Sequence, residues 1–279
     1  MGINAGILFA MTSRAPRVRL DEFLVQRGQA ASREKARALI LAGRVTVAGS
    51  DRVKPGLLVR PDVPVAIAEG PEFVSRGGHK LAHALSSFTL SPTGLTCADI
   101  GASTGGFTDC LLQRGAARVY AIDVGYGQLD WRLRTDPRVV VLERTNARYL
   151  EGLPEPVDLV VVDASFISLQ TLLPAITHIV RTGGDLIALV KPQFEAGKDR
   201  VGKGGVVRDP GVHREVLSEF ARWVEAAQLG LLGLVASPIR GPAGNIEFLA
   251  HVRMAPSSAS SASAMQRIDH VLAEAQEVP

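Results

Sequence analysis

The 279-residue sequence lacks most of the features that mark secreted, membrane-spanning and metal-binding proteins. Cys97 and Cys110 are its two cysteines, and they have neither C-x-x-C nor zinc-ligand spacing, which predicts buried free thiols and no metal site. No apolar run approaches the roughly 18 residues that a membrane-spanning helix needs, so we expect no membrane span. Residues 1–16 lack the basic start and the cleavage signal of a signal peptide. We expect a disordered leader there, Met1 or Met11 as the start, and a cytoplasmic protein.

Charge is unevenly distributed along the chain, although the formal net charge of +3 at pH 7 is small. Residues 14–60 contain 11 basic against 4 acidic residues, whereas the rest of the chain contains 20 against 24. A basic segment beside a slightly acidic one is typical of a nucleic-acid-binding module attached to another domain. A basic, solvated surface without such a role would show the same imbalance, so charge alone leaves both interpretations open.

The basic segment has the pattern of a small folded module. Ser32 is placed to cap a helix, Gly43 to end it, and Val45–Val47 favours a strand. The pattern R-L-D-x-x-L-V-x-R-G-x-x-x-S-R-x-x-A-x-x-L-I-x-x-G-x-V-x-V, which starts at Arg19, resembles the S4 RNA-binding domain. This resemblance implies an S4-like α+β domain at 17–68 that binds structured RNA through its shape and its phosphates. The cations placed to bind RNA are Arg17, Arg19, Arg33, Lys35 and Arg37.

After this module, apolar strands alternate with segments of helical length. Near-continuous apolar strands predict a parallel sheet covered on both faces, here a doubly wound, Rossmann-like α/β sheet. A helix from Pro210 to about Ala227, capped by Asp209, precedes a final antiparallel strand pair, which is typical of the methyltransferase variant of this sheet. The predicted strands are Cys97–Ile100, Val119–Asp123, Val139–Leu142, Leu159–Asp163, Leu186–Lys191, Leu231–Ala236 and Phe248–Val252.

Composition also suggests where the domains begin and end. We expect a short linker at 69–75 and the methyltransferase-like domain at 76–254. The segment 255–279 starts with a run rich in serine and alanine, which predicts a flexible linker followed by a helical tail. That tail, Met265–Glu277, has the pattern of an isolated amphipathic helix without chemistry of its own.

A glycine-rich turn joins the first of these strands to the helix that follows. It has the form D-x-G-x-x-x-G-G from Asp99, whereas a dinucleotide site needs G-x-G-x-x-G to seat a pyrophosphate. The turn, with Gly101 and Gly105, fits S-adenosylmethionine better, because that cofactor carries an amino-acid tail and no phosphate. Asp123 ends the next apolar run, where a carboxylate would bind the ribose hydroxyls. A strand-to-helix turn without any ligand is the alternative.

Four charged residues stand where a doubly wound sheet exposes side chains to its ligand crevice. Asp163 and Lys191 end the fourth and fifth predicted strands. Lys80 lies before the first strand, and Glu247 begins the last. A lysine at the end of an apolar run is costly unless its ammonium meets a carboxylate or solvent, and two lysines with two carboxylates can neutralise one another. Each residue alone has an ordinary structural explanation, such as a cap or a surface lysine, but the four together predict a catalytic site.

The same residues suit methyl transfer to a weakly acidic hydroxyl. A ribose 2′-hydroxyl must lose its proton or have its developing alkoxide stabilised, and a lysine can serve either purpose. Amine and ring-carbon acceptors more often require an Asn-Pro-Pro-Tyr-like loop or a cysteine nucleophile. The fourth strand is followed instead by Asp163-Ala164-Ser165-Phe166. The sequence therefore favours a ribose hydroxyl as the acceptor and leaves open which lysine is the base.

The order Lys–Asp–Lys–Glu resembles the catalytic tetrad of FtsJ-like ribose 2′-O-methyltransferases. Longer motifs resemble the TlyA family of S4-domain proteins, among them S-R-G-G-H-K-L, D-I-G-A-S-T-G-G-F-T-D, L-V-K-P-Q-F-E-A-G-K and G-G-V-V-R-D-P. That family is described both as hemolysins and as ribosomal RNA 2′-O-methyltransferases. The resemblance implies S-adenosylmethionine as cofactor and cytidine ribose in 16S or 23S ribosomal RNA, in ribosomal subunits, as acceptor. It assigns catalysis to Lys80, Asp163, Lys191 and Glu247, and cofactor binding to Asp99, Gly101, Ser103, Gly105, Asp123, Asn146 and Phe166.

Three other functions agree with parts of the sequence. An RNA-binding ribosome-assembly factor with an inactive methyltransferase fold would normally have lost one of the four charged residues. A membrane-active hemolysin would need a spanning segment or a strong amphipathic stretch, and we find neither. A small-molecule O-methyltransferase would leave the basic module unexplained.

Overall fold

The structure is a computed structural model, and it describes residues 16–68, 70–256 and 261–277. The chain divides into two compact units, Met1–Glu72 and Phe73–Pro279. The leader predicted at 1–16 lies outside the described residues except for Pro16, and so do residues 257–260 of the predicted linker.

The first unit contains two short helices and two small antiparallel sheets around a hydrophobic core. The Ser32 side chain accepts a hydrogen bond from Lys35 N–H at 3.2 Å and so caps the second helix, as the sequence predicts. Gly43 has a φ of 69° and follows the end of that helix. The elements are β1 (Val18–Arg19), α1 (Leu20–Gln26), α2 (Arg33–Leu41), β2 (Val45–Val47), β3 (Leu58–Val59) and β4 (Val65–Ile67), with β1 paired to β3 and β2 to β4.

The second unit is built on a seven-stranded sheet. Its strands are β5 (Thr96–Ile100), β6 (Arg118–Ile122), β7 (Val139–Leu142), β8 (Val157–Val162), β9 (Val180–Val190), β10 (Gly230–Ala236) and β11 (Phe248–Arg253). Its helices are α3 (Gly77–Ser87), α4 (Gly106–Gln113), α5 (Trp131–Arg134), α6 (Leu169–Ile179), α7 (Pro192–Glu195), α8 (Pro210–Ala226) and α9 (Ser261–Glu274).

The strand order in this sheet is β10-β11-β9-β8-β5-β6-β7. Strands β5 to β9 pair in parallel, whereas β11 is antiparallel to both β9 and β10. The direction of the crossover connections reverses between β5 and β8, and in doubly wound sheets the ligand crevice lies at such a switch point, outside the carboxyl ends of the strands. The predicted doubly wound sheet with a final antiparallel strand pair is confirmed.

Strand side chains enter two separate hydrophobic cores, one on each face of the sheet. In β8, Val160 and Val162 belong to the core that contains side chains of α6, α8 and α9. Leu159 and Val161 belong to the core that contains side chains of α3 and α4. Because both faces are covered, alternation between polar and apolar residues is suppressed, which explains the near-continuous apolar runs of the sequence.

Strand β9 is longer than the sequence predicts, since it starts at Val180 and not at Leu186. The additional residues pair with β8 through a shift in register, between the pairs Val157–Val180 and Leu159–Asp185. They include exposed and polar positions, such as Arg181, that hide the strand in the sequence.

The helix at the C-terminal end is packed and not isolated, so that part of the sequence-based interpretation was wrong. It begins at Ser261 and lies against α8 and β10. Ile268 and Val271 are fully buried in the larger hydrophobic core, and Arg214 of α8 forms an ion pair with Asp269. The amphipathic pattern therefore reflects burial of the apolar face on the domain itself.

Cys97 and Cys110 are buried free thiols, as expected. Burial raises the pKa of the Cys97 thiol to about 12, which leaves it unreactive at neutral pH. Within the described part of the chain, no group of three or more His, Cys, Asp or Glu side chains is placed to hold a metal ion. None of the helices in that part of the chain has both the length and the apolar character that crossing a membrane requires.

Candidate active site

The four charged residues singled out in the sequence come together at the switch point of the sheet and form two ion pairs. Lys191 Nζ lies 2.6 Å from Asp163 Oδ1, directly after β9 and β8. Lys80, in the first turn of α3, pairs through Nζ with Oε2 of Glu247, which precedes β11. Lys80, Lys191 and Glu247 are buried, and the Asp163 side chain is 24% exposed. The predicted placement at strand ends therefore brings the two pairs to one edge of the sheet.

The two ion pairs share one electrostatic environment. Burial raises the pKa of Asp163, and the positive charges of Lys191 and, at longer range, Lys80 oppose that rise. Glu247 adds to the rise, so the Asp163 carboxyl responds to all three of the other residues. A change in the charge of any one of these three residues will therefore change the proton affinity of Asp163.

Two further polar residues that the sequence interpretation did not assign contact the ion pairs. Lys191 Nζ donates to Ser165 Oγ at 3.0 Å, and Gln193 Nε2 donates to Glu247 Oε1 at 3.3 Å. The Gln193 side-chain oxygen is buried and has no hydrogen-bond partner among the described residues. Both residues lie two positions beyond a tetrad member, Asp163 or Lys191, and that spacing is the signal that sequence reasoning could have used.

A cavity of about 300 Å³ lies between the ion pairs and the glycine-rich turn after β5. All four members of the tetrad line it, together with residues of the turn and the start of α3. The residues from these two segments are Ser75, Arg76, Gly77, Gly101, Ala102, Ser103, Thr104, Gly106 and Phe107.

Glycine is required at two positions of this turn. Gly101 has a φ of 82°, and a Cβ there would lie 2.7 Å from the carbonyl oxygen of Asp163. Gly105 has a φ of 96°, and its Cβ would collide with the Leu133 side chain. Glycine at position 101 therefore lets the turn approach the end of β8, and glycine at position 105 lets it pack against Leu133 of α5.

Asp123 joins the turn after β5 to the loop after β6. Its Oδ2 accepts a hydrogen bond from Ser103 N–H at 2.8 Å, and its Oδ1 accepts one from Gly125 N–H at 2.6 Å. A carboxylate oxygen can accept more than one hydrogen bond, so both atoms keep acceptor capacity for ribose hydroxyls. The residue thus ties the two loops together.

Asp99 lies beneath the turn and is completely buried. Oδ2 accepts hydrogen bonds from the N–H and the hydroxyl of Thr108 at 2.9 and 2.7 Å, whereas Oδ1 has no partner among the described residues. Burial raises the pKa of this carboxyl to about 7, against the opposing effect of the Thr108 hydrogen bonds. An orphaned carboxylate oxygen at this place fits a cationic ligand group, such as the ammonium of S-adenosylmethionine.

Of the seven residues assigned to the cofactor by resemblance, Gly101 and Ser103 line the cavity beside the glycine-rich turn, whereas Asp99, Gly105, Asp123, Asn146 and Phe166 do not. Asn146 Oδ1 accepts a hydrogen bond from Arg148 N–H at 3.0 Å and caps the short 3-10 turn Ala147–Tyr149. Phe166 is 91% exposed, has a φ of 64° and packs against Phe194 with 5.0 Å between ring centroids. Both rings line a second cavity and not the one beside the glycine-rich turn.

That second cavity has a volume of about 800 Å³. It shares Ser165, Lys191, Pro242 and Glu247 with the smaller cavity, so one residue of each ion pair stands at the junction of the two. The remaining lining comes from the loops that follow β8 and β9 and from the turn before β11. The geometry provides room for two ligands that meet at Lys191 and Glu247.

In the first unit, the predicted RNA-binding cations fall into two groups. Arg19 and Arg33 form ion pairs with Asp21 at 2.9 and 3.4 Å, and hydrogen bonding to Arg19 is the main reason that the pKa of Asp21 falls to about 2. Asp21 was not assigned a role from the sequence, yet it is fully buried and orders both arginines. The second group is exposed and forms no ion pair with any described residue. Its members are Arg17, Lys35 and Arg37.

The comparisons with known proteins agree for both units. Residues 73–254 match the family model of FtsJ-like methyltransferases, and residues 18–65 match that of the S4 domain. The chain is 48% identical to the 16S/23S rRNA (cytidine-2′-O)-methyltransferase TlyA of Mycobacterium tuberculosis, over 92% of this chain and 97% of that protein. It is 40% identical to hemolysin A of Brachyspira hyodysenteriae, over 84% of this chain and 99% of that protein. A solved structure of a candidate hemolysin from Streptococcus thermophilus superposes with a TM-score of 0.70 at 40% identity, covering 94% of this chain and 98% of that one.

Proposed function

Because the chain belongs to the TlyA family of FtsJ-like methyltransferases with an S4 domain, we propose that it methylates ribose 2′-hydroxyls of ribosomal RNA. The cofactor is S-adenosylmethionine, and the acceptor is the 2′-hydroxyl of cytidine in 16S or 23S RNA. The observation that carries this proposal is the position of two buried ion pairs at the junction of two cavities, one of which is bounded by the glycine-rich turn.

The smaller cavity would hold the cofactor. Bound S-adenosylmethionine supplies an electrophilic methyl group on its sulfonium. Asp123 would accept from the ribose hydroxyls, and the orphaned oxygen of Asp99 would face the ammonium of the amino-acid tail. Arg76 lines the same cavity and has no ion pair with any described residue, so it is available for the tail carboxylate. The amino-acid tail would then be held by both of its charges.

The tetrad would act on the acceptor hydroxyl. We assign to Lys191 the lowering of the barrier to deprotonation, because its buried ammonium can stabilise negative charge that develops on the 2′ oxygen. Asp163 holds that ammonium at 2.6 Å, and with Lys80 it positions the hydroxyl against the methyl group. Glu247 balances the charge of Lys80, so that two lysines can stand together in a buried site.

The larger cavity would receive the acceptor nucleotide, and the S4 unit would hold the surrounding RNA. The exposed cations Arg17, Lys35 and Arg37 are free of ion pairs with the described residues, which suits contacts to phosphates. A substrate in ribosomal subunits places the protein in the cytoplasm. The S4 unit would recognise structured RNA by its shape and backbone, and not by its base sequence.

Methyl transfer from labelled S-adenosylmethionine to purified 30S and 50S subunits tests this function. We expect label in ribosomal RNA with the wild type and a loss of about a hundredfold or more with Lys191→Ala, as for removal of a transition-state contact. Mapping the methylated riboses identifies the subunit and the nucleotide. Arg222→Ala is the matched control, because Arg222 is an exposed cation of α8 that lines neither cavity.

Two results would contradict the proposal in different ways. Full activity of Lys191→Ala, with normal cofactor binding, would remove Lys191 from catalysis. Absence of label on either subunit, with the cofactor still bound, would favour an RNA-binding assembly factor.

A further inference from the structure

The segment between α7 and α8 forms one wall of the larger cavity. It contains G-K-G-G-V-V-R-D, residues 202–209, a motif that has no role in the reaction described above. Gly202, Gly204 and Gly205 line the cavity, and Gly204 and Gly205 both have positive φ values, of 82° and 76°. Two consecutive residues in this conformation fit glycine, and they keep the backbone of the segment exposed at the cavity.

A buried amide fixes this segment. Asn245 is 2% exposed, its Oδ1 accepts a hydrogen bond from Val207 N–H at 2.9 Å, and its Nδ2 donates to the Gly205 carbonyl at 2.9 Å. The ring of His213 lies with Nε2 3.2 Å from the Val207 carbonyl. The backbone of Val207 is thus held through both its N–H and its carbonyl, and the segment has one position relative to Asn245.

The same asparagine belongs to the turn that presents Glu247. Its carbonyl accepts a hydrogen bond from Gly241 N–H at 2.9 Å, which closes the turn. A Cβ at Gly241 would lie 2.5 Å from Oε1 of Glu247, so the turn packs directly on the carboxylate that pairs with Lys80. Asn245 therefore connects the wall of the larger cavity to the tetrad.

The segment carries cations that the protein itself does not neutralise. Lys203 and Arg208 are exposed and form no ion pair with any described residue. Arg200, just before the segment, differs because it pairs with Glu215. Unpaired cations next to the glycines that line the acceptor cavity suit the phosphates of a nucleic-acid strand. Lys203 and Arg208 line neither cavity, and the segment lies outside the lining of the cofactor cavity, so the cofactor is not their partner.

We propose that residues 202–209 clamp the backbone phosphates of the acceptor RNA strand beside the tetrad, and that Asn245 is the positioning residue that holds the clamp. This inference rests on the proposed function, because it assumes RNA in the larger cavity. Lys203 and Arg208 bind the phosphates that flank the acceptor ribose. Asn245 lines the larger cavity, but both ends of its amide are engaged by Gly205 and Val207, so it acts on the clamp through these two residues.

The test measures steady-state methylation and subunit binding for four full-length variants at several salt concentrations. Lys203→Ala and Arg208→Ala each remove one cation, Asn245→Ala releases the segment, and Arg222→Ala is the matched control. The slope of log affinity against log salt is negative, and removal of one phosphate contact reduces its magnitude by about 0.7 to 0.9. We expect that change for Lys203→Ala and Arg208→Ala, with KM for the subunit raised about threefold to tenfold and the affinity for S-adenosylhomocysteine unchanged.

Asn245→Ala should reduce the magnitude of the salt slope by more than Lys203→Ala or Arg208→Ala does, because both cations lose their position. If Asn245→Ala fails to fold, the two surface variants still decide the assignment of the clamp.

The outcomes separate this inference from the function on which it rests. Salt slopes and KM values for Lys203→Ala and Arg208→Ala that equal those of Arg222→Ala, with an active wild type, overturn the clamp alone. A loss of S-adenosylhomocysteine affinity in Asn245→Ala overturns the positioning role. A wild type that methylates neither subunit overturns the proposed function and the clamp together.

Discussion

At the scale of single residues, Asp99 combines complete burial with an oxygen that has no partner in the described chain. Its pKa is raised to about 7 by burial, so near neutral pH the folded protein holds a mixture of the neutral and ionised forms. A ligand with an ammonium group binds the ionised form, and its binding must therefore release a proton when the pH lies below 7. In the proposed function, this carboxyl would link cofactor affinity to pH.

We predict that the affinity for S-adenosylhomocysteine falls as the pH is lowered below 7, by up to about tenfold per pH unit. The sign follows from the raised pKa, because protonation removes the charge that attracts the ammonium. Above 7 the affinity should level off. Isothermal titration calorimetry at several pH values measures both the affinity and the proton release.

The ligand itself offers the control for this prediction. 5′-Methylthioadenosine lacks the amino-acid tail, so its affinity should not change over the same pH range. In Asp99→Asn the pH dependence of S-adenosylhomocysteine binding should disappear. Equal pH dependence for the two ligands would show that Asp99 does not face the tail.

The sequence identifies charged residues of the site better than neutral ones. Lys80 and Lys191 are conspicuous because a charge stands at the edge of an apolar segment, and the structure places both in buried ion pairs. Ser165, Gln193 and Asn245 are polar but neutral, and their types are common in loops. Their importance depends on partners distant in sequence, for example 54 positions between Gln193 and Glu247, and no local pattern specifies such a pair.

At the scale of elements, the glycine-rich turn lies very close to the end of β8. The turn and the end of β8 come together at Gly101, where a Cβ would meet the backbone of Asp163. Because backbone atoms cannot move aside like the tip of a flexible side chain, substitution there must displace either the turn or the tetrad residue. The shape of the smaller cavity and the position of Asp163 therefore depend on one small residue.

We predict that Gly101→Ala destabilises the protein by about 1 to 3 kcal/mol and abolishes measurable binding of S-adenosylhomocysteine. The positive φ and the 2.7 Å approach to Asp163 both contribute to the cost. Thermal unfolding with and without ligand measures the two effects.

Gly94→Ala is the matched control, because Gly94 has a φ of 75° but no atom within 4 Å of the added Cβ. That variant should show the cost of the backbone conformation, about 1 kcal/mol, and bind the ligand normally. Equal effects of the two substitutions would mean that the approach to Asp163 is unimportant.

Strands were predictable from the sequence where both faces are buried, and less so where they extend beyond the core. β7 has the predicted bounds, β5 starts one residue earlier than predicted, and β6 is shifted by one residue at each end. The first half of β9 was missed because its pairing with β8 crosses a shift in register through exposed and polar residues. The packing of α9 was missed because periodicity shows that a helix has an apolar face but not which surface covers it.

At the scale of the whole molecule, the two units divide the charge and the chemistry between them. The excess of positive charge lies in residues 14–60, whereas the four tetrad charges of the second unit cancel in pairs. Long-range attraction of RNA should therefore come from the first unit, and transfer of the methyl group from the second. Binding of RNA and binding of the cofactor can then be impaired separately.

The triple variant Arg17→Ala, Lys35→Ala, Arg37→Ala tests this division in the full-length protein. These cations have no ion pair with the described residues, so their loss should leave the fold of the first unit intact, unlike loss of Arg19 or Arg33, which hold the buried Asp21. We expect the slope of log affinity for the ribosomal subunit against log salt to decrease in magnitude by about 2 to 3, because three phosphate contacts are removed. KM for the subunit should rise, while the affinity for S-adenosylhomocysteine and the rate at saturating substrate should not change. An unchanged salt slope would show that the S4-like unit binds through another face, and a changed rate at saturation would show that these cations also position the acceptor for transfer.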